Sequence, residues 1–289
     1  MTVVRNDVVG LRRTALSVMQ QTSQDFEWLI VDGYSIDGTA EYASELARDP
    51  RVRLVAAEPR GIYDAMNVGV LNARGNWLWL INAGDFLMGP GAVSTVGRWA
   101  IEDASAAAFA CRVAHVSGHG YLLDISTPRT RWVGEYVVGE YNHQGVVCRR
   151  DLFDTLGAFD TSMRFGADGK FLDGLASAGR VELRSDILVG FTLGGASGRN
   201  YRATVAETNI FRPTDVSQRD EFILVLRNAV RVGLLDLEGY RLLGYPARRI
   251  FQGKQDRRLT ARERDALLAS HWPSHSRDGQ AILSCCIRG

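Results

Sequence analysis

The sequence predicts an α/β protein whose mostly parallel, doubly wound sheet is flanked by helices. Apolar runs with strand character alternate with helical patterns in the first third of the chain, as in proteins whose strands are joined by helical crossovers. Residues 77–81 are large and apolar, which predicts a strand buried on both faces. Asp85 follows that strand closely, so a carboxylate lies at the strand's C-terminal edge, where open α/β sheets bind ligands.

The spacing of the apolar residues predicts each element in turn. We predict strands at 2–4, 26–31, 52–56 and 77–81, and helices at 11–21, from Asp37 or Thr39 to before Pro50, at 62–74, and from about 92. Short β segments follow at 106–113 and 121–125. The first strand is shorter than the mean strand of about five or six residues. This predicts that the natural chain begins further upstream.

Composition excludes several classes of protein. The 289 residues are 46% hydrophobic and 23% charged, with a formal net charge of +1. These values are typical of a soluble globular protein and do not favour a nucleic-acid partner. The four cysteines lack the spacing of metal ligands and are typical of reduced thiols. No apolar run reaches the roughly 18 residues of a membrane span. We therefore expect a cytoplasmic protein, in solution or at the inner face of the membrane.

Polar residues at three strand ends are expected to meet at one edge of the sheet: Arg5–Asp7, Asp32 and Asp85. Asp32 can accept a hydrogen bond from the imide N–H of a base or from a ribose hydroxyl. Asp85 can hold a hard cation on a diphosphate, or it can cap the helix that begins near residue 92. A dinucleotide site is disfavoured, because its Gly-x-Gly-x-x-Gly pattern is absent after the first strand.

Several motifs in the expected order resemble those of one enzyme family. Asp32-Gly-Tyr-Ser-Ile-Asp-Gly-Thr39 resembles the Asp-Gly-(Gly/Ser)-Ser-x-Asp-Gly-Thr motif of family 2 glycosyltransferases of the GT-A fold. Gly61-Ile-Tyr-Asp-Ala-Met-Asn67 is similar to a segment of their bacterial members. His143-Gln144, the segments 149–160 and 167–168, and Gly194-Gly-Ala-Ser197 follow the pattern of the acceptor side. The resemblance covers about residues 1–200.

The resemblance implies an inverting sugar transfer from a UDP- or dTDP-linked donor to a glycan or lipid-linked acceptor, with Mg²⁺ or Mn²⁺ as cofactor. Asp85 would hold the metal and Asp168 would be the general base. The nucleotide and donor sugar would be bound by Val4, Arg5, Asn6, Asp32, Arg60, Asp64, Asn67 and Asn82. The acceptor or a phosphate would be bound by His143, Gln144 and Lys170.

The chain departs from the family pattern at two places. Asn82-Ala-Gly-Asp85 keeps only the last acid of the usual metal motif, so we expect weak metal binding. Lys170 replaces a usual acid, and it contacts a phosphate or points into solvent. Other structural alternatives also remain open. Asp168 could instead be the N-cap of its helix, and Asp64 an acid that favours the dipole of its own helix. Arg60 could be a solvated turn residue, and His143 a core histidine bonded to backbone.

Two regions are predicted, a GT-A catalytic domain at 1–200 and a helical, basic extension at 201–289. The extension either packs on the catalytic domain or lies on an anionic membrane surface through its basic, amphipathic stretch. Two other functions also fit the sequence. One is an inactive protein that binds nucleotide sugars or glycans, and the other is a nucleotidyltransferase, although the latter's Gly-rich basic loop is absent.

Overall fold

A computed structural model describes residues 1–58, 60–117, 122–133 and 136–194, together with Thr204 and Glu207. The chain divides into two compact units, one made of Met1–Val113 and Thr127–Phe191, the other of Ala114–Ser126 and Thr192–Gly289. The proposed extension 201–289 and its basic stretch lie outside the described residues, apart from Thr204 and Glu207. Within the described residues, no helix is long and apolar enough to cross a membrane.

The first half alternates strands and helices, as the sequence predicts. Its elements are β1 Thr2–Val4, α1 Val8–Met19, β2 Trp28–Asp32, α2 Thr39–Leu46, β3 Val52–Ala56, α3 Ile62–Asn72, β4 Trp77–Trp79, β5 Phe86–Leu87 and α4 Ala92–Glu102. The later elements are β6 Ala108–Val116, β7 Leu122–Ser126, β8 Arg129–Val133, β9 Tyr136–Glu140, β10 Val146–Arg149, α5 Leu152–Leu156, α6 Ala167–Ala178 and β11 Val181–Thr192. A 3₁₀ turn at His143–Gly145 precedes β10.

The sheet is parallel where the alternation is regular. β2 pairs in parallel with β1 and β3. The backbone at β1 also bonds to β4 and the residues after it, through Met1 N to Trp79 O, Ile81 N to Met1 O and Ala83 N to Val3 O. Residue numbers increase together along both partners, so this pairing is parallel as well. The carboxyl ends of β1, β2 and β4 therefore lie at the same edge.

Beyond β4 the pairing becomes antiparallel. β10 pairs antiparallel with β4 and with β6, and β11 pairs antiparallel with β5. The strand order is β4, β10, β6, β11, β5. The prediction of a mostly parallel sheet thus holds for β1 to β4. The β segments expected at 106–113 and 121–125 correspond to β6 and β7 of the second sheet, whereas its strands β5, β10 and β11 were not predicted.

The central strand of the parallel part, β2, is buried on both faces. On β2, Trp28 and Ile30 belong to one apolar cluster, and Leu29 and Val31 belong to another. Neighbouring residues of a strand point to opposite faces, so each cluster fills one side of the sheet. All four residues are at most 3% exposed. This is the environment that the continuous apolar runs predict.

Helix α1 begins earlier than the apolar spacing indicates, because Asp7 caps it. The Asp7 carboxylate accepts a hydrogen bond from Gly10 N at 2.8 Å, which satisfies one of the free N–H groups of the first turn. A side chain at position 10 would place its Cβ 2.1 Å from Asp7 Oδ2. The close approach of the capping carboxylate therefore requires glycine at this position.

Candidate active site

The loop after β2 is tied to the end of β1 by polar side chains. Asn6 N donates to Ser35 Oγ at 2.8 Å, and Asn6 Oδ1 accepts from Ile36 N at 2.9 Å. Thr39 Oγ1 accepts from Asp7 N at 3.1 Å and donates to Asp37. The side chains of the Asp32–Thr39 motif thus fix the mutual position of two strand ends. The amide of Asn6 serves this contact.

Asp32 lies at the end of β2 beside a cavity of about 360 Å³. The residue is only 5% exposed. One carboxylate oxygen, Oδ2, accepts a hydrogen bond from Ser35 N at 3.0 Å. The other oxygen, Oδ1, is buried and has no hydrogen-bond partner among the described residues. The cavity is lined by Asp32, Tyr34, Ser35, Ile36, Ala40, Ser44, Leu54 and Ala56.

Tyr34 borders the same cavity in an unusual backbone conformation. Its φ is +56°, a region that bulky side chains seldom occupy, and its side chain is 59% exposed. Strain of this kind at a ligand-sized cavity is a recognised mark of function. Of the other predicted nucleotide contacts, Val4 is buried with its carbonyl bonded to Gly33 N, and Arg5 is exposed.

Asp85 is held in the loop that follows β4 and is 3% exposed. Thr14 from α1 fixes this loop, since its hydroxyl donates to Asp85 O at 2.7 Å and accepts from Gly84 N at 3.1 Å. Gln144 Nε2 donates to Asp85 Oδ2 at 3.2 Å. Helix α4 has Gly91 as its N-cap, so the alternative reading of Asp85 as a helix cap is wrong.

The donor set of this loop fits a weakly held cation. Within the described residues there is no cluster of three or more His, Cys, Asp or Glu side chains that could hold a metal ion. A Mg²⁺ or Mn²⁺ ion on a diphosphate needs only one or two carboxylate oxygens, since phosphate and water supply the rest. Asp85 is the carboxylate of the loop after β4 that would hold such an ion.

Asp168 lies in the first turn of α6, where Gly166 is the N-cap. The capping alternative for Asp168 is therefore wrong. Its Oδ1 accepts from Tyr63 OH at 2.7 Å, and its Oδ2 lies 2.8 Å from His143 Nδ1. Burial acts to raise the pKa of Asp168, but the hydrogen bonds and charge of His143 and the bond from Tyr63 hold it below its usual value. The carboxylate is thus ionised at neutral pH.

His143 contacts one carboxylate, Asp168, and is influenced by the charge of a second, Asp85. Burial acts to lower the pKa of His143, but the hydrogen bond to Asp168 and the charges of Asp168 and Asp85 raise it above its usual value. The second ring nitrogen, Nε2, lies 3.2 Å from Asn82 Nδ2. An asparagine amide can accept from a protonated ring or donate to a neutral one, depending on which way it turns. The structure brings Asn82, His143 and Asp168 together.

Asn67 and Lys170 have partners within the protein. Asn67 Nδ2 donates to Phe159 O at 2.9 Å, and Asn67 Oδ1 accepts from Phe159 N at 2.8 Å. This pairing explains an asparagine inside a helix without a ligand. Lys170 Nζ donates to Asp160 Oδ2 at 2.7 Å. That contact, together with the bonds from Ser162, lowers the pKa of Asp160 to about 2. The Lys170 side chain is also 51% exposed, which agrees with the solvent alternative.

Two further predicted residues lie near the start of α3. Arg60 is exposed and pairs with Glu58 at 3.1 Å, as its turn alternative predicts. Asp64 is an acid in the first turn of α3, where a negative charge interacts favourably with the helix dipole. Its contact with a ligand stays a prediction.

Sequence reasoning missed two residues of the site, Tyr63 and Thr14. Tyr63 belongs to the Gly61–Asn67 motif, so the motif itself could have indicated that this tyrosine is part of the site.

The fold and these sites define the class of the protein. A parallel sheet with a cavity of about 360 Å³ at its carboxyl edge, continued by an antiparallel part, is the arrangement expected of the GT-A fold. Solved structures agree with this assignment. The Staphylococcus aureus TarS 1–349 complex with UDP has a TM-score of 0.56 at 14% identity and covers 86% of this chain and 75% of that chain.

A second solved structure is also similar. It is the mannosyltransferase PcManGT from Pyrobaculum calidifontis in complex with GDP-Man and Mn²⁺. Its TM-score is 0.55 at 17% identity, and the match covers 99% of this chain and 78% of that chain. At such identities the likeness establishes the fold. The predicted GT-A fold is thereby confirmed.

Sequence comparison gives the family. A PGL/p-HBAD biosynthesis glycosyltransferase of Mycobacterium bovis is 32% identical over 163 residues, which are 54% of this chain. The match spans only 60% of that relative's length. The sequence model of glycosyl transferase family 2 matches residues 1–151, which is more than half of the chain. The protein belongs to glycosyl transferase family 2, as its motifs predict.

Proposed function

We propose that this protein transfers a sugar, with inversion, from a UDP- or dTDP-linked donor to a hydroxyl of a glycan or lipid-linked acceptor. Family membership supports the reaction class. The observation that carries the nucleotide assignment is the buried Asp32 Oδ1, which has no partner among the described residues and borders a cavity of about 360 Å³.

The chemistry of Asp32 favours a base with an imide N–H. A buried carboxylate oxygen needs a donor, since leaving it unsatisfied costs free energy. Uracil and thymine present N3–H as a donor, whereas cytosine presents an acceptor at the same place and would be repelled by the carboxylate. Guanine also carries a ring N–H, so GDP belongs in any test of this selection.

The loop after β4 would bind the diphosphate of the donor. Asp85 would hold Mg²⁺ or Mn²⁺, and the ion would neutralise charge on the leaving diphosphate. Thr14 fixes the backbone on both sides of this carboxylate, through bonds to Asp85 O and Gly84 N. Gln144 orients the carboxylate itself. These contacts keep Asp85 in place before a ligand arrives.

Asp168 would act on the acceptor as the general base. The acceptor oxygen attacks the anomeric carbon, the bond from that carbon to the diphosphate oxygen breaks, and the hydroxyl proton passes to the Asp168 carboxylate. The Asp168 side chain is 25% exposed, so a proton donor can reach it from solvent. Its lowered pKa keeps it unprotonated at neutral pH.

Calorimetric titration followed by a hydrolysis assay tests the proposal. The full chain is titrated with UDP, GDP and CDP, each with and without Mn²⁺, and then incubated with a panel of UDP- and dTDP-sugars to detect slow release of free sugar. We expect UDP to bind more tightly than CDP, binding to increase with Mn²⁺, and at least one donor to be hydrolysed. Binding without turnover of any donor would instead support an inactive binding protein.

A further inference from the structure

Tyr63 is a buried residue of the Gly61–Asn67 motif, which is expected to bind the donor. Its hydroxyl, however, contacts Asp168, the candidate base on the acceptor side. It belongs to the first turn of α3 and is 5% exposed. Its hydroxyl donates to Asp168 Oδ1 at 2.7 Å across 105 residues of sequence. The contact therefore joins α3 to the start of α6.

The ring of Tyr63 is held in place by aromatic packing. Its centroid lies 6.0 Å from that of Phe159, at an interplanar angle of 33°. The backbone of Phe159 is itself held by two hydrogen bonds to the side-chain amide of Asn67. Asn67 lies on α3, one helical turn after Tyr63. The position of the hydroxyl is therefore set by the packing of α3, and does not depend on Asp168.

The hydroxyl of Tyr63 remains a donor over the whole working range of pH. Burial and the adjacent Asp168 carboxylate raise the pKa of Tyr63 far above its usual value, because both oppose a second negative charge. The hydroxyl therefore keeps its proton at neutral pH and can donate it to the carboxylate.

Asp168 is held from both sides. Tyr63 donates to Oδ1, while His143 Nδ1 contacts Oδ2, and Gly169 N adds a backbone bond. A carboxylate has about four lone-pair sites, so these bonds leave capacity for a substrate proton. They also prevent rotation of the group, and a fixed orientation is what a base acting on one hydroxyl requires.

We propose that Tyr63 is a positioning residue for the general base, holding the Asp168 carboxylate in the orientation in which it accepts the acceptor's proton. The inference rests on the proposed transfer reaction and adds to it a residue outside the expected donor and acceptor contacts. Tyr63 orients Asp168 from α3, and His143 does so from the 3₁₀ turn.

The charged groups around Asp168 determine the sign of the expected pH effect. His143 faces Asp168 directly and is itself under the charge of Asp85. Lys170, from the same helix, is paired with Asp160. Loss of the Tyr63 hydroxyl removes one of the bonds that lower the pKa of Asp168, so that pKa rises. The acidic limb of the rate profile then moves to higher pH.

The test uses Tyr63→Phe, which keeps the ring packing and removes only the hydroxyl. Tyr42→Phe is the matched control, because Tyr42 is a half-buried tyrosine on α2 whose ring lies under the Arg12 guanidinium. Three readouts are compared: UDP affinity, hydrolysis of the best UDP- or dTDP-sugar as a function of pH, and carboxyl carbon-13 titration of Asp168. The Asp168 resonance is the one absent from Asp168→Asn.

We expect Tyr63→Phe to lower kcat by about tenfold or more, the effect of one hydrogen bond to a charged group. The KM for the donor and the UDP affinity should stay unchanged, and the pKa of Asp168 should rise. Tyr42→Phe should match the wild type throughout. An Asp168 titration identical in Tyr63→Phe and wild type would overturn the positioning role, whether or not a donor is turned over. Failure of the wild type to bind UDP would instead count against the proposed function.

Discussion

His143 Nδ1 lies 2.8 Å from Asp168 Oδ2, in a pair whose side chains are 19% and 25% exposed. The contact raises the pKa of the imidazole and, with Tyr63, lowers the pKa of the carboxyl group against the effect of burial. Asp168 is therefore ionised at neutral pH, and its carboxylate favours the protonated form of His143. The candidate base is thus paired with an imidazole whose protonated form is also favoured by the charge of Asp85.

This pair predicts a pH-dependent contribution to stability. The folded-state pKa of His143 is raised, so its stabilisation is fully present below the unfolded value of about 6.5 and is lost as pH rises through the folded value. The folded-state pKa of Asp168 is lowered, so its contribution is lost as pH falls below about 3.9. We expect His143→Gln to reduce the free energy of unfolding by roughly 1–2 kcal/mol near pH 6. The reduction should be smaller near pH 9.

Urea unfolding of both proteins at the two pH values measures this difference. Groups that titrate equally in both proteins cancel in the comparison. An equal loss at both pH values would show that His143 acts by packing and not by charge.

Asp168→Asn separates basicity from shape. The amide oxygen can still accept from Tyr63 or His143, so we expect normal folding and normal UDP binding. Sugar transfer should fall at least about a hundredfold, the lower end of what acid–base catalysis contributes. Asp160→Asn is the control, since Asp160 pairs with Lys170 and Ser162. The base assignment fails if Asp168→Asn retains near-normal rates.

Asp32→Asn predicts a change of nucleotide preference. The amide can keep the bond from Ser35 N through its oxygen and present its NH₂ group to the cavity. This group suits the N3 acceptor of cytosine and opposes the N3–H of uracil. We expect UDP affinity to fall about tenfold or more, as for loss of a hydrogen bond to a charged group, and CDP affinity to rise. Unchanged relative affinities, measured by calorimetry, would exclude Asp32 from the base site.

Tyr34 offers a test of stacking on the base. Tyr34→Asn removes the ring, and asparagine tolerates a positive φ better than bulky residues do. Tyr34→Phe keeps the ring. We expect UDP affinity to fall about tenfold in the asparagine variant, within the range of base–aromatic stacking, and to stay near wild type in the phenylalanine variant. If both variants bind UDP equally well, the ring does not contact the base.

The metal site can be weakened or strengthened from the loop after β4. Asp85→Asn should abolish the increase in UDP affinity caused by Mn²⁺. Gly84→Asp should enlarge that increase by adding a second acid. Gly84 has a φ of +94°, although its missing Cβ would meet no atom within 4 Å. The added side chain should therefore lower thermal stability through backbone strain of roughly 1–3 kcal/mol.

Gly84→Asn is the matched control for that experiment, because it carries the same backbone strain without the charge. It should lose the same stability and show no gain in Mn²⁺ dependence. Undiminished Mn²⁺ dependence in Asp85→Asn would remove this carboxylate from the metal site.

Local sequence patterns determined the elements and the strand-end residues of this protein. The apolar runs of β2 and β4 and the polar residues after them, Asp32 and Asp85, are short-range features. Ser35, Asp37 and Thr39 were recognisable for the same reason, since their spacing suits a loop that bonds to its own neighbourhood. Where the structure moved a boundary, as at the start of α1, a cap decided it. The short, irregular segments after residue 104 carried too little periodicity to predict their antiparallel pairing.

Only the tertiary structure decided which side chains meet. Tyr63 reaches Asp168 across 105 residues, Asn67 reaches Phe159 across 92, and Gln144 reaches Asp85 across 59. The periodicity of apolar residues in the sequence predicts which face of a helix or strand is buried. The contacts between distant polar side chains depend instead on how α3, α6 and the 3₁₀ turn pack at the sheet edge. That packing excluded the N-cap alternative for Asp168, whose carboxylate is bonded by Tyr63 and His143. It also pairs the amide of Asn67 with the backbone of Phe159. Hydrophobic burial sets the distance between these elements, and at that distance the polar groups at their ends can bond to one another.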